Sequence, residues 1–208
     1  MVTSRSTAAA RPEGSVLRRR GPVLERAILE ATLEQLGSVG WNGLTMEGVA
    51  LGAQTGKAAV YRRWPSKEDL VADALRAGLP TLDEAPDRGS VREDLYALCL
   101  RVRDVMFSKP GSALRAVLHE CDADSAERFH ELIVKGVTEP SNRLFRDVLI
   151  RGIDRGEVRA DAVDGLVLDV IPALMMYRSK VCKSEWTDRE IADVIDRVMV
   201  PLIRAGRG

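Results

Sequence analysis

The chain has 208 residues, of which 45% are hydrophobic and only 4% aromatic. This length and composition exclude a largely disordered chain and suit one large domain or two small ones, with helices favoured over strands. The 31 basic and 31 acidic residues cancel, so no overall cationic field points to a nucleic-acid partner.

The charges are divided unevenly along the chain. Residues 1–78 carry 11 Lys and Arg against 8 Asp and Glu, whereas residues 79–208 carry 20 against 23. The first part is therefore mildly positive and the remainder mildly negative. This difference favours an anionic partner at the N-terminal part without identifying it.

The cysteines and the apolar runs bear on the compartment. Cys99, Cys121 and Cys182 are far apart and lack metal-ligand spacing, which indicates a reducing compartment rather than a zinc site or a disulfide framework. The N-terminus lacks the apolar core of a signal peptide, and no run approaches the ~18 apolar residues of a membrane span. We therefore expect a cytoplasmic protein that does not enter a membrane.

The first 17 residues are mostly small and polar, and they predict a disordered arm. Arg18, Arg19 and Arg20 follow. These three guanidiniums could hold the phosphates or enter the minor groove of a nucleic acid, or form a solvated charge run. A helix is then predicted over 22–39, apolar on two sides and so packed between other elements, before a turn over 40–43.

Two short helices are predicted next. Thr45 is an N-cap for a helix whose periodicity is lost over 51–54, and Thr55 is an N-cap for a second helix that Pro65 ends. Ser66 then caps a third helix, whose free N–H groups, with Lys67, suit a phosphate oxygen.

The second of these helices has an inner and an outer side. At ~100° per residue, Val60 and Trp64 share the inner side. The outer side is slim and basic: Ala58, Ala59 and Arg62, flanked by Tyr61 and Arg63. Lys57 stands in the first turn, where a cation is unfavourable near the positive helix end. Such a surface can enter a major groove.

The run over 40–70, GWNGLTMEGVALGAQTGKAAVYRRWPSKEDL, resembles the DNA-binding domain of the tetracycline-repressor (TetR) family of bacterial transcription regulators. The matching positions are a glycine–aromatic turn, a Thr cap, the end of the recognition helix and a Lys-Glu pair: Gly40, Trp41, Thr45, Tyr61, Trp64, Lys67 and Glu68. The turn departs from the family pattern, because Ala53 and Gln54 stand where Ala-Gly is usual. Gly52 and Gly56 are expected to supply the flexibility instead.

The candidate DNA-binding residues follow from the helix pattern and the resemblance together. The resemblance implies that the Tyr61 phenol contacts a phosphate, and either Arg62 or Arg63 is expected to read guanine or hold a phosphate. The full set is Arg18, Arg19, Arg20, Thr45, Thr55, Lys57, Ala58, Ala59, Tyr61, Arg62, Arg63 and Lys67.

The rest of the chain also predicts helices. A connector over 79–89 separates a DNA-binding domain over 18–78 from a second domain over 79–208. Further helices are predicted over about 90–108, 112–121, 125–137 and on to 156, 164–182 with a kink at Pro172, and from Thr187. The predicted fold is all-α: an N-terminal three-helix helix-turn-helix domain plus a C-terminal helical domain, about nine helices in total.

The resemblance implies that the C-terminal domain binds a ligand and forms a dimer through its last two helices. Ordinary core packing is the alternative for each residue concerned. The candidates for lining a ligand cavity are Met106, Phe107, Phe129, Ile133, Phe145, Met175 and Met176. The candidates for the dimer interface are Val170, Leu174, Tyr177, Ile191, Ile195, Val198 and Leu202.

Enzymatic and metal-binding functions find little support. The chain has no glycine-rich phosphate loop, no GxSxG motif, and only two histidines, His119 and His130. His119, Glu120 and Cys121 are adjacent, so on a helix they point in different directions and cannot converge on one ion. We expect no enzyme activity, metal or cofactor.

The sequence therefore predicts a homodimeric repressor that binds a palindromic double-stranded DNA operator and is released by a small apolar or aromatic effector. Two alternatives remain open: a helical small-molecule-binding protein, or a protein-interaction module without sequence-specific DNA binding.

Overall fold

The computed structural model describes residues 20–121 and 129–204, which fold into nine helices. These are α1 (Gly21–Gly43), α2 (Met46–Gly52), α3 (Lys57–Tyr61), α4 (Lys67–Gly78), α5 (Val91–Phe107), α6 (Lys109–Glu120), α7 (129–154), α8 (Gly165–Val181) and α9 (188–203). Helices α7 and α9 contain π-helical turns at Val134–Thr138 and Ile195–Met199. The predicted all-α class is confirmed. The predicted arm over 1–17 and the candidates Arg18 and Arg19 lie outside the described residues.

Side-chain N-caps begin several helices in the structure, and those at Thr45 and Ser66 were predicted. The hydroxyls of Thr45, Ser66, Ser90 and Thr187 each accept a hydrogen bond from the backbone N–H three residues later. Each bond satisfies one of the donors that a helix start leaves unpaired. Local side-chain chemistry therefore sets where these helices begin.

Helix α6 begins three residues earlier than predicted. Ser108 accepts a hydrogen bond from the Gly111 N–H, and Pro110 lies in the first turn of the helix. Proline is tolerated there because its missing N–H would have no partner within the helix. The expected break between α5 and α6 therefore shrinks to one residue.

The first hydrophobic core lies among α1, α2, α3, α4 and α6. Ile28, Leu70 and Leu75 are fully buried in it, and the Trp41 ring meets Phe129 edge-on at 5.3 Å. Helix α6 packs against α1 and α4 through Ala113, Leu114 and Val117. The N-terminal helices thus share their core with a helix that follows the connector.

The second core lies among α5, α7, α8 and α9. Leu95, Leu149 and Ile195 are each at most 1% exposed within it. At its edge Asp94 is fully buried and pairs with Arg155 at 2.8 Å. None of the helices in the described ranges is long and apolar enough to cross a bilayer.

A direct contact links the end of α6 to the end of α1. Gly40 has φ +72, and a Cβ there would collide with the Glu120 carboxylate. That carboxylate accepts a hydrogen bond from the Asn42 N–H at 3.1 Å. The left-handed backbone at this position favours glycine, and the bond from Asn42 to Glu120 links the turn before α2 to α6.

Candidate nucleic-acid interface

Helix α3 is anchored by its inner side. Val60 is fully buried and Trp64 is 5% exposed. The Trp64 indole also donates a hydrogen bond from Nε1 to Asp73 Oδ2 on α4 at 3.0 Å. With only five residues, α3 is too short to persist alone, so this anchoring holds it in place.

The turn between α2 and α3 differs from the expectation. Gln54 itself adopts the left-handed conformation, with φ +55, whereas Gly52 is helical and Gly56 has φ −84. Neither glycine supplies the turn. The tertiary arrangement of the two helices holds a glutamine where glycine would be less strained.

Thr55 does not cap α3 as predicted. Gly56 occupies the N-cap position in an extended conformation, without a side-chain hydrogen bond, and the regular helix runs over Lys57–Tyr61. The Thr55 N–H is used in the turn, where it donates to the Ala50 carbonyl at 2.9 Å. Thr55 therefore belongs to the turn between α2 and α3, and not to the N-cap position that its spacing in the sequence predicted.

The outer side of α3 exposes a small basic surface. Ala58 and Arg62 are exposed and Tyr61 is 40% exposed, whereas Ala59 packs partly against the first core. The Arg62 guanidinium forms no hydrogen bond or ion pair with any residue in the described ranges, and only the backbone N–H of Arg62 is bonded, to the Ala58 carbonyl at 3.2 Å. We call Lys57, Ala58, Tyr61 and Arg62 the reading surface.

One residue of the reading surface carries an acidic partner. The Lys57 ammonium pairs with the Glu47 carboxylate of α2 and lies 5.4 Å from the centre of the Tyr61 ring. The hydrogen bond from Lys57 lowers the pKa of the Glu47 carboxyl and raises the pKa of Lys57. Glu47 therefore competes with any anion that approaches Lys57.

Other predicted DNA-binding side chains are engaged within the subunit. Arg63 donates from Nη1 to its own helix at the Ala59 carbonyl, 3.0 Å away. Lys67 donates to the Trp41 carbonyl and lies 4.1 Å from the centre of that ring. The Thr45 hydroxyl caps α2. Arg20 differs from these three residues, because it is exposed directly before α1.

A cavity of about 320 Å³ lies between the end of α4, the connector and helices α5 to α8. Five predicted residues line it: Met106, Ile133, Phe145, Met175 and Met176. Phe107 and Phe129 do not. Phe129 packs against Trp41 in the first core, and Phe107 lies under the Arg115 guanidinium, 4.8 Å from ring centre to Cζ.

Sequence reasoning missed the polar lining residues Arg115 and His119. They are four residues apart on α6, opposite the side that carries Ala113 and Val117 into the first core. That spacing places both side chains on one face of a helix and could have identified them. Burial, assisted by Lys180 and Arg115, lowers the pKa of the His119 imidazole.

The predicted dimer residues divide into two groups. Ile191 and Ile195 are 2% and 1% exposed because they face the second core, so they cannot form an interface. Tyr177, Val198 and Leu202 are exposed, and Val170 and Leu174 are half-buried.

Two residues that were not predicted belong with the exposed group. Leu166 is 80% exposed and Val181 is 60% exposed. With Val170 and Tyr177 they recur at helical spacing along α8, a stripe that the sequence contains. We call Leu166, Tyr177, Val181, Val198 and Leu202 the apolar surface.

Neither candidate site has a metal-ligand cluster. In the described parts of the chain, no three His, Cys, Asp or Glu residues come together as an ion would need. Cys99 is buried, which raises the pKa of its thiol to about 12.

Two family models cover most of the chain. Residues 28–74 match the bacterial regulatory proteins of the tetR family, and residues 85–198 match the tetracyclin repressor-like C-terminal domain. The second match alone spans more than half of the sequence. The gap between the two matches, residues 75–84, overlaps the connector.

Individual relatives agree with these models. An uncharacterized HTH-type transcriptional regulator of Mycobacterium tuberculosis is 30% identical over 187 residues, which cover 88% of this chain and 90% of that protein. The DNA-binding transcriptional repressor TetR of Mycobacteroides abscessus is 29% identical and is covered to 97%, with 90% of this chain covered. A regulator from Saccharomonospora viridis, solved in complex with choline, has a TM-score of 0.62 at 16% identity, over 88% of this chain and 98% of that one.

Proposed function

Since the chain belongs to the tetracycline-repressor family of transcriptional regulators, which are DNA-binding proteins and not enzymes, we propose that it is a homodimeric repressor whose operator binding is released by a small molecule. On this proposal it acts in the cytoplasm, where a bacterial chromosome lies. The three parts of the proposal are the DNA contact, the dimer and the release by an effector.

The DNA contact is assigned to the reading surface of α3. The observation that carries this assignment is that α3 buries Val60 and Trp64 while Arg62 projects outward without a partner among the described residues. A guanidinium presented by a slim helix can reach guanine in a major groove. Lys57 and Tyr61 beside it supply phosphate contacts.

The dimer is assigned to the apolar surface of α8 and α9. Exposed leucine, tyrosine and valine side chains along the last two helices favour burial against an identical copy. Two α3 helices related by twofold symmetry would enter successive major grooves about 34 Å apart, which requires a palindromic operator.

Release is assigned to the cavity, because its walls include the residues just after α4 and one side of α6. Helix α6 also holds the turn before α2 through the bond from Asn42 to Glu120. An effector that fits one position of α6 better than another would therefore shift the DNA-binding helices. The choline complex of the Saccharomonospora viridis regulator supports the idea that this fold can hold a small molecule.

Fluorescence polarisation with labelled duplexes from the DNA flanking the protein's own gene tests the DNA contact. We expect binding that prefers one duplex, weakens steeply as salt rises, and is clearly weaker in Tyr61→Ala and Arg62→Ala variants that remain folded. Arg76→Ala on α4 is the matched control, since it removes an exposed arginine outside the reading surface.

Two results would contradict the proposal. If both variants bind the duplex as tightly as the unchanged protein, α3 is not the helix that contacts the bases. Absence of any salt-dependent, sequence-preferring binding would favour a small-molecule-binding protein or a protein-interaction module instead.

A further inference from the structure

The cavity contains one cation whose hydrogen-bonding capacity is only partly used. Arg115 is half-buried on α6 and lines the cavity. It donates from Nη1 to the Met106 carbonyl and from Nη2 to the Ser112 hydroxyl at 3.0 Å. A guanidinium has five N–H donors, so these two bonds leave three unused.

No carboxylate in the described ranges pairs with Arg115, and the guanidinium also lies over the Phe107 ring. The plainest explanation of the side chain is that it caps the carbonyl end of α5. That role accounts for the bond to Met106 and leaves the charge uncompensated. Burial lowers the pKa of the guanidinium, which reflects an unfavourable environment for the cation that a bound anion would relieve.

Most of the remaining lining is apolar. Val102, Leu118, Ile133, Phe145 and Met175 supply hydrocarbon walls around the guanidinium. A volume of about 320 Å³ is at the lower end of the range for small-molecule pockets, about 300–1,000 Å³. The space therefore suits a ligand that is largely apolar and modest in size.

The other charged groups of the lining do not make the cavity negatively charged. Arg143 adds a second guanidinium, which is exposed, and His119 is biased towards its neutral form. Asp83 is the single carboxylate of the lining; it is exposed in the connector and accepts a hydrogen bond from Thr81 at 3.2 Å. The half-buried charged group of the lining, Arg115, is therefore a cation, whereas the carboxylate of Asp83 is exposed.

We infer that the cavity binds an anionic amphiphile, which is a small apolar molecule that ends in a carboxylate or similar acid. The acid group is bound by Arg115, and the apolar part lies along Met175 and Met176 of α8. This inference rests on the proposed effector function and names the chemical class of the effector. A charge-assisted, bidentate bond to the guanidinium would fix the orientation of the ligand.

Three probes with the same ten-carbon chain test the inference: decanoate, decanol and decylammonium, titrated calorimetrically into the full-length protein at pH 7.5 without DNA. Decanoate is ionised at this pH. We expect decanoate to bind about tenfold or more tightly than decanol, and decylammonium most weakly. Equal affinity for acid and alcohol, or tighter binding of decylammonium, would overturn the inference.

Variants of the guanidinium locate the effect. Arg115→Met should reduce the preference for decanoate over decanol to within about twofold, and Arg115→Lys should retain part of it. Because the readout is a ratio of two affinities in one variant, a loss of α5 capping does not imitate the result. Arg143→Gln is the matched control and should leave the ratio unchanged; loss of the ratio in this control alone would move the anion site to the mouth of the cavity and refute the role of Arg115.

This experiment separates the inference from the proposed function. If decanoate binds selectively and operator affinity does not change when it is added, the acid site stands and release by this ligand fails. If the protein binds its operator and shows no preference for the acid, the regulator stands and the acid site fails.

Discussion

The reading surface and the apolar surface are both exposed, yet their chemistry is opposite. The first has basic and phenolic groups on a five-residue helix and its C-cap, whereas the second has leucine, valine and tyrosine side chains along two long helices. Exposure alone therefore does not identify a partner. A cationic surface binds in a salt-dependent manner, while an apolar surface gains free energy mainly by removing its area from water.

The two surfaces also differ in their support. Helix α3 depends on the first core through Val60 and Trp64, because a helix of its length is unstable alone. Helix α8 has 17 residues and buries Val167, Leu168 and Ile171 on its inner side. The two surfaces should consequently fail in different ways when they are changed.

The largest expected effect comes from charging the apolar surface. A Leu166→Asp, Tyr177→Asp variant should be monomeric, because dimerisation would bury two carboxylates without partners. Operator affinity should fall about 100-fold or more, since two linked half-site contacts bind far more tightly than one. Sedimentation velocity and fluorescence polarisation measure the two effects.

Ile150→Asp is the matched control for that variant, because Ile150 is an apolar residue of α7 with 43% exposure and lies outside the apolar surface. It should remain dimeric. A dimer that survives both charged substitutions would show that the subunits meet elsewhere.

The next effect distinguishes two adjacent arginines of the reading helix. Arg62→Ala should weaken operator binding by about 1–3 kcal/mol, the value of one good bidentate base contact. Arg63→Ala should cost less, because Arg63 is already bonded to the Ala59 carbonyl. Fluorescence polarisation at several salt concentrations measures both, and a larger loss in Arg63→Ala would reverse the assignment.

A smaller effect, of opposite sign, should follow from removal of the acid beside the reading surface. Glu47→Gln releases Lys57 from its ion pair and removes a negative charge near DNA, so affinity should rise several-fold at low salt and less at high salt. Glu131→Gln is the control, since it breaks a similar exposed pair with Lys135 on α7. Unchanged affinity in Glu47→Gln would indicate that Lys57 does not face the DNA.

The smallest effect concerns the turn that carries α3. Gln54→Gly should raise the free energy of unfolding by about 0.5–1 kcal/mol, because glycine adopts φ +55 with less strain than glutamine. Leu51→Gly, on the exposed side of α2, should lower it by about 1 kcal/mol. Urea denaturation monitored by circular dichroism measures both changes. Destabilisation by Gln54→Gly would contradict the claim that the backbone at Gln54 is strained.

The site was partly predictable from sequence. Helical spacing separated Val60 and Trp64 from Ala58 and Arg62, and the structure keeps that separation. Spacing did not distinguish Arg62 from Arg63, because two adjacent arginines differ only in the groups that they contact in the folded chain. Most of the predicted apolar residues line the cavity, whereas Arg115 was not predicted, because the role of a half-buried cation depends on the groups that surround it.

By itself, the sequence determined the helical class, the caps at Thr45 and Ser66 and the family, since these depend on residues within a few positions of each other and on local hydrogen bonds. Only the tertiary structure decided which apolar stripe of α9 is covered: Ile191 and Ile195 face the core, while Val198 and Leu202 face outward. The physical reason is that periodicity defines a stripe on a helix, whereas burial depends on the helix that packs against it. The same reason applies to Gln54, whose left-handed backbone follows from the packing of α2 and α3 rather than from its own preference.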